Sequence, residues 1–415
     1  MERTSSKKIC LITPGHISSN PRLVKEAIAL SEVGYKVHII FTQNLEFLVE
    51  HDARILNQNP HWTFDVLSPI NKNLYKSIFK KLKGLYLKIL KITFTHARYI
   101  FLAKHILNKN YTWQLKKAIN NKADLYIAHN LGALPIAVEA AKYHHAYVGF
   151  DAEDYHRHEI TNDIYSVHYI INKIIEDYYI PKLNYLTGAS PLIVNKYAQH
   201  YPQSAPTVIN NVFSIQNLQK ASNNQLAPLS LFWFSQTIGK DRGLEDVIHA
   251  LNELEYENIK LILLGNISDA DKYYFLGLLS PMNLKADKLE FINTVQENQL
   301  YPIAAQYDIG LVLERKEPEN KNICLSNKSF TYLLAGLTTI STDTAAQRLM
   351  LAENPGIGKI YQTGDIQTLV LHLKFYLNNR DELYRSKLEA QKIAKEKYNW
   401  EIESQKFIHI IHNLK

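Results

Sequence analysis

The chain has 415 residues, of which 46% are apolar and 21% charged, with a formal net charge of +7 and only two cysteines. That length favours two domains of about 200 residues over one core, and the balance excludes bulk disorder. No stretch reaches the roughly 18 uninterrupted apolar residues of a membrane span, the opening MERTSSKKICLIT has no apolar signal region, and Cys10 and Cys324 frame neither a disulfide set nor a thiolate metal site.

In chain order, β-branched apolar runs alternate with amphipathic ones, the pattern of a parallel α/β sheet covered by helices. The first strands fall at Lys8 to Thr13 and Lys36 to Thr42. Between them runs a helix from Asn20 to Val33, with Leu23, Ala27 and Leu30 on one face and Gly34 as its stop. Strands follow at Asp124 to His129, Ala146 to Asp151 and Tyr185 to Ser190. The stretch from Gln203 to Leu229 loses periodicity and gains Pro206, Asn223, Asn224 and Pro228, so it reads as a domain crossing. A second series has strands at Leu229 to Ser235, Ile259 to Leu264, Leu289 to Ile292, Ile309 to Leu313, Thr338 to Ser341 and Lys359 to Tyr361, then helices from Asp365 to about Asn413. The expected organisation is a first domain over 1–205, a linker over 206–228, a second domain over 229–397 and a C-terminal helix over 398–415 that returns to the first domain.

Ligands of open α/β sheets bind at the carboxyl ends of strands, so the loops there carry the chemistry. After the first strand comes Thr13-Pro-Gly-His-Ile-Ser-Ser-Asn-Pro-Arg22, where Gly15 either permits close backbone approach to a ligand or belongs to a simple turn before an Asn20 cap. No GxGxxG fingerprint and no P-loop is present, which counts against dehydrogenases and NTPases. His129 ends a buried strand, either as a structural histidine or as a site residue. Phe150-Asp-Ala-Glu153-Asp154-Tyr-His156-Arg157-His158-Glu159 reads as a polar, substrate-facing loop, because its histidines lack a spacing that fixes metal geometry. In the second half, Ser235-Gln-Thr-Ile-Gly239-Lys240-Asp-Arg242-Gly243 puts two glycines and two cations before a helix, which suits a diphosphate or an ordinary basic turn. Leu264-Gly265-Asn266 repeats the strand-then-glycine arrangement. Ser326 or Asn327 can cap a helix whose start offers free amides and Lys328 to an anion, and Gly336 ends it.

With these pieces in order, the chain resembles the GT-B glycosyltransferases, specifically retaining glycosyltransferase family 4. The resemblance runs through Ser18-Ser-Asn-Pro-Arg22, Ala128-His-Asn130, Phe150-Asp-Ala-Glu-Asp154, Ala189-Ser-Pro191, Ile209-Asn-Asn-Val212, Arg242-Gly-Leu-Glu245, Asn327-Lys-Ser-Phe-Thr-Tyr-Leu-Leu-Ala-Gly336 and Tyr398-Asn-Trp400, over nearly the whole length. It implies two Rossmann-like parallel-sheet domains facing across a cleft, an acceptor-binding first and a donor-binding second. It further implies transfer of a sugar, with retention, from a UDP- or GDP-linked donor without a metal ion or other cofactor. By the same resemblance Arg242, helped by Lys240, and Lys328 with the amides near Asn327 stabilise the leaving diphosphate. Gly15, Ser235, Gly265, Asn266 and Thr331 line the donor, His129 sits by the transferred sugar, and His16, Glu153 and Asp154 meet the acceptor. The chain departs from the family's pair of glutamates seven residues apart. Thr331 stands at the second, ribose-binding position and the first falls near Ile323 and Cys324, so only a shifted Glu314, Glu317 or Glu319 can compensate. The usual arginine ahead of the donor-loop cation is also missing, near Gln236 and Thr237.

Charge is unevenly placed. Between Asp65 and Asp124 there are 13 Lys or Arg and no acidic residue, leaving 34 basic against 40 acidic residues elsewhere. Over 71–117 the lysines alternate with Leu, Ile, Tyr and Phe at helical spacings, which suits the anionic cytoplasmic leaflet. A packed surface helix and nucleic-acid binding are the weaker alternatives, the latter because no reading motif accompanies the charge. The expected protein is thus cytoplasmic, peripheral at the inner face of the membrane, and acts on a glycan or lipid-linked acceptor in surface polysaccharide synthesis. The rival readings are a catalytically degenerate scaffold in a glycan assembly complex, and a nucleotide-sugar epimerase, which lacks an evident acid and base cluster.

Overall fold

A computed structural model describes residues 7–68, 99–223, 228–279 and 288–414. Most of the basic segment, residues 71–98, and residues 224–227 of the expected linker lie outside them. The chain divides into two compact units, Met1–Ile209 with Ser404–Lys415, and Asn210–Glu403.

The first unit contains β1 (Lys8–Ile12), α1 (Pro21–Glu32), β2 (Lys36–Thr42), α2 (Val49–Gln58), β3 (Thr63–Leu67), α3 (Ile100–Leu107), α4 (Tyr111–Asn120), β4 (Leu125–His129), α5 (Leu134–His144), β5 (Tyr147–Ala152), α6 (Val167–Tyr179), β6 (Tyr185–Gly188), α7 (Pro191–His200) and β7 (Thr207–Val208). Its seven strands lie in the order β3-β2-β1-β4-β5-β6-β7, and every pairing is parallel. The sequence reading lacks β3 and β7. β3 is a short edge strand whose alternating apolar residues Phe64 and Val66 are exposed, and β7 has two residues within a stretch rich in turn formers.

The second unit contains β8 (Leu229–Ile238), α8 (Leu244–Glu253), β9 (Ile259–Ile267), α9 (Asp269–Leu278), β10 (Leu289–Ile292), α10 (Glu297–Ala304), β11 (Ile309–Val312), α11 (Glu319–Ile323), α12 (Asn327–Ala335), β12 (Thr338–Thr342), α13 (Ala345–Glu353), β13 (Gly358–Tyr361), α14 (Ile366–Asn378) and α15 (Arg380–Glu396). The last helix, α16 (Trp400–His412), starts in this unit and ends in the first. The six strands are parallel, in the order β10-β9-β8-β11-β12-β13.

The central strands of both sheets are buried on both faces, as expected of parallel sheets. In β8, Leu229, Leu231 and Trp233 join one core with α8 and α14, while Phe232 joins another with Tyr332 and Ala335 of α12. In α1, the Asn20 side chain accepts from the Leu23 amide at 2.9 Å, Pro21 occupies the first turn, and Gly34 at φ +93° closes the end.

Gly310 of β11 faces the ring of Tyr332, whose hydroxyl donates to the carbonyls of Phe232 and Leu311 at 3.2 Å each. A Cβ at position 310 would collide with that ring. Gly310→Ala is therefore expected to cost about 1–3 kcal/mol and to lower the thermal midpoint of unfolding by several degrees. An unchanged midpoint would show that the ring can move aside.

Candidate functional site

In each sheet the strand order reverses once, between β1 and β4 and between β8 and β11. Loops leaving the carboxyl ends of such neighbouring strands diverge and open a crevice for a ligand. The candidate residues belong largely to these loops and their flanks.

In the first unit the loop after β1 is tied down from within. Asp52 of α2 accepts from the Ser18 amide at 2.9 Å, the Ser18 hydroxyl at 2.6 Å and Gln43 Nε2 at 3.0 Å, and it faces His16 Nδ1 at 2.6 Å. His16 Nε2 in turn accepts from the amides of Asn44 and Leu45 at 2.8 and 3.0 Å. Nε2 therefore carries the lone pair and Nδ1 the proton. His16 is 1% exposed and held through both nitrogens, so it pins the loop after β1. Gly15 lies beside it, half-buried, with its carbonyl accepting from the Thr42 amide at 3.2 Å.

Behind this loop α1 turns two charged residues, Arg22 and Glu26, onto its buried face. Arg22 grips Asp151 of β5 through Nε and through Nη2, the latter at 2.6 Å, and donates from Nη1 to the Ile209 carbonyl. Glu26 lies 3.8 Å from Arg22 Nε and 3.3 Å from Nε2 of His129. His129 Nδ1 faces Asp151 at 3.6 Å and Glu153 at 3.8 Å. Four charged or chargeable groups thus close a ring that alternates in sign when His129 is protonated. The four groups are at most 1% exposed. Burial opposes the charge on Asp151, yet Arg22 and His129 outweigh it and hold the carboxyl below its usual range. Burial would likewise push His129 down, but Glu26 and the other carboxylates raise it to about 10. Burial and Asp151 push Glu26 up, and His129 and Arg22 pull it back.

Glu26, His129 and Asp151 also bring one potential metal-ligand atom each within 4.8 Å of one another. Two observations weigh against a cation seat there. Asp151 is already bound by Arg22, and the carboxylates are divided between the two nitrogens of His129, whereas a metal takes one. Glu153, a quarter exposed, links this ring to the surface. Asp154 is half-buried, and its carbonyl accepts from the Tyr197 hydroxyl.

In the second unit the strands run further than their apolar pattern shows. β8 continues past Ser235 to Ile238 and β9 past Leu264 to Ile267, across an irregularity between Phe234 and Thr237. Gly265, at φ +157°, sits where a Cβ would strike the Ser235 carbonyl. The adjoining strand thus by itself requires glycine there. Asn266 is exposed and accepts from the Thr294 hydroxyl at 3.2 Å.

Arg242 donates to the Thr237 carbonyl at 2.8 Å and to the Ser235 hydroxyl, and its guanidinium stands 5.8 Å from the Trp233 ring centre. Lys328, at the start of α12, stands 5.6 Å from the same ring. Gly243, at φ +78°, delivers the chain from this loop into α8. Lys240 turns elsewhere, with its ammonium 4.3 Å from the Tyr274 ring centre, so the structure does not bring it to Arg242. Glu314, after β11, accepts from the Ser326 hydroxyl at 2.8 Å and Lys328 Nζ at 3.2 Å. Burial raises Glu314, but Lys328 and Ser326 together hold it below the usual carboxyl range. Ser326 occupies the N-cap position without capping, because its hydroxyl goes to Glu314. Asn327 is exposed beside it. Thr331 is 1% exposed and donates to the Asn327 carbonyl at 3.1 Å, so its hydroxyl is turned onto its own helix.

The sequence reading has no role for Glu26, Asp52 or Trp233. Its available signal was Arg22 and Glu26, charged residues four apart on the face marked apolar by Leu23, Ala27 and Leu30.

Neither a family model nor a curated protein matches the chain. Among solved structures it is similar to sucrose-phosphate synthase from Thermosynechococcus elongatus, at 12% identity over 98% of this chain and 99% of that one, with a TM-score of 0.68. It is similar to Anabaena HepE, solved in complex with UDP and glucose, at 14% identity over 98% and 100%, with a TM-score of 0.68. A putative UDP-N-acetylglucosamine 2-epimerase from Listeria monocytogenes follows at 11% identity over 98% and 95%, with a TM-score of 0.60. At these identities the likeness establishes architecture: the chain has the two parallel-sheet α/β domains of the GT-B fold.

Proposed function

We propose that the protein is a retaining glycosyltransferase that moves a sugar from a UDP- or GDP-linked donor to a glycan or lipid-linked acceptor in surface polysaccharide synthesis. The observation that carries this reading is the pair of cations on Trp233. Arg242 and Lys328 converge on one ring beside the second switch point, and among the described residues Arg242 makes no ion pair. A diphosphate leaving group needs such fixed positive charge, positioned before the reaction starts. These two cations take the part a divalent ion plays elsewhere, so the reaction is proposed to need none. Similarity to HepE, whose structures hold UDP and UDP-glucose, favours a UDP donor.

In this reading Glu314 accepts hydroxyl groups of the donor near Lys328, in place of the glutamate that the resemblance expects at position 331. Gly15 leaves the first loop open to the donor: a Cβ there would meet only Ser19 Oγ, at an ordinary 3.7 Å, so the fold itself does not demand glycine. Asn327 and Ser235 complete the phosphate end, Lys240 lies at its margin, and Glu153 and Asp154 remain the acceptor-side polar groups. The basic segment 71–117 is proposed to hold the enzyme at the inner face of a membrane. Among the described residues no helix is long and apolar enough to cross one.

The second reading is a catalytically degenerate scaffold, and the buried Thr331 hydroxyl favours it, because the expected ribose carboxylate has no counterpart on that helix.

Ligand-induced thermal shifts separate the two. UDP or GDP, or one of their sugars, should raise the unfolding temperature, whereas NAD should not. No response to any nucleotide would favour the scaffold. Arg242→Ala should weaken the nucleotide that binds by about 1.5–3 kcal/mol, read by calorimetry, and an unchanged affinity would remove Arg242 from the site. Sedimentation with anionic vesicles should show binding that high salt reverses. Absence of binding at low salt would sink the membrane assignment.

A further inference from the structure

We propose that Glu26 and Asp151 hold His129 as a standing imidazolium, so that His129 supplies a fixed positive charge but never acts as a general base. Glu26 is then a positioning residue. The role for His129 in sugar transfer rests on the function proposed above; its charge state rests on the geometry of the first unit alone.

The two buried histidines of this unit make the contrast. His16 faces a carboxylate with one nitrogen and two backbone amides with the other, which is the environment of a neutral ring with one proton and one lone pair. His129 faces carboxylates with both nitrogens, Glu26 at Nε2 and Asp151 and Glu153 at Nδ1. Either neutral tautomer would aim a lone pair at a buried carboxyl group, which is tolerable only if that group is protonated; the doubly protonated ring meets ionised carboxylates on both sides.

Charge balance leads to the same state. The groups that face His129 are Arg22 and Glu26 from α1, Asp151 and Glu153 from β5 and its following loop, and, near the carboxylates, Thr187 and Tyr185 from β6. Arg22 spends its bidentate grip on Asp151 and approaches Glu26 only at 3.8 Å. Thr187 donates 2.7 Å to the Asp151 oxygen that Nη2 also holds, and the Tyr185 hydroxyl is neutral. With neutral His129 and both carboxylates ionised, the ring of four holds one cation against two buried anions. With the imidazolium it holds two against two, which is how buried charge is tolerated. The same carboxylates raise the pKa of His129 to about 10, against the effect of burial. As folding raises this pKa, the resulting stability is complete below about pH 6.5 and is lost as the pH rises toward about 10.

The test is nitrogen-15 NMR of the full chain labelled at histidine, with the His129 signals assigned by their loss in His129→Gln. We expect both ring nitrogens of His129 to stay protonated at a pH of about 8.5, roughly two units above the ordinary histidine value. Glu26→Gln should lower the titration midpoint by about 1–3 units, and Glu26→Asp should restore part of the shift. A neutral His129 at that pH in the wild-type protein overturns the proposal, and so does an unmoved midpoint in Glu26→Gln. A His129 signal displaced by stoichiometric zinc at neutral pH would overturn it in favour of a metal seat. If Glu26→Gln fails to fold, the wild-type spectrum still decides. The readout needs no donor, so a failed nucleotide-binding experiment leaves it standing and is told apart from it.

Discussion

Removing the guanidinium of Arg22 from water carries a penalty of several kcal/mol, and the charge is stable in the interior only because its partners are already in place. Those partners come from separate parts of the first unit: Asp151 at the end of β5, Glu26 one turn along α1 and the Ile209 carbonyl just beyond β7. One side chain therefore sets where the first helix lies relative to the strands whose loops carry the candidate site. Glu26 meets His129 because Arg22 holds α1 against β5. Breaking a buried pair of this kind costs about 3–5 kcal/mol, so the position of His129 and the stability of the unit are linked.

The two units share a strand plan and use it in opposite electrostatic ways. In the first, charges near the switch point are buried, paired and balanced. In the second they are partly exposed and cationic, with Arg242 leaning on backbone and hydroxyl oxygens and Lys328 shared between Glu314 and the face of Trp233. A balanced buried cluster is rigid and has little capacity for further charge. An exposed cation without an acid partner keeps that capacity, which is why the anionic end of a donor is assigned to the second unit.

Much of the scaffold was legible in the sequence, because parallel strands buried on both faces read as continuous apolar runs and α1 is marked by Asn20, Pro21 and Gly34. β3 and β7 were not: a five-residue exposed edge strand and a two-residue bridge are too short for their pattern to stand out. Arg242 and Lys328 could be singled out in the sequence because they lie at or just before helix starts that follow strands, and the structure brings both to the Trp233 ring. The sequence is silent where like residues differ only in surroundings. His16 and His129 both follow or close buried strands, and only the carboxylates and amides around them, from distant parts of the chain, tell the neutral pin from the charged ring. Gly265 shows the same limit, for the group that excludes a side chain there is a carbonyl from the adjoining strand.

The chain enters the second unit at Asn210 and leaves it at Glu403, and these two residues are bonded to each other, through the Asn210 amide at 3.1 Å and its side-chain nitrogen at 2.9 Å. The unit is thus an insert with clasped ends. Its 210–403 segment begins and finishes at one point, so the loop-closure cost of sealing the first unit without it is small. Such a segment can be exchanged as one piece, with the bonds of Asn210 to Glu403 and of Ser214 to Glu401 as its seam.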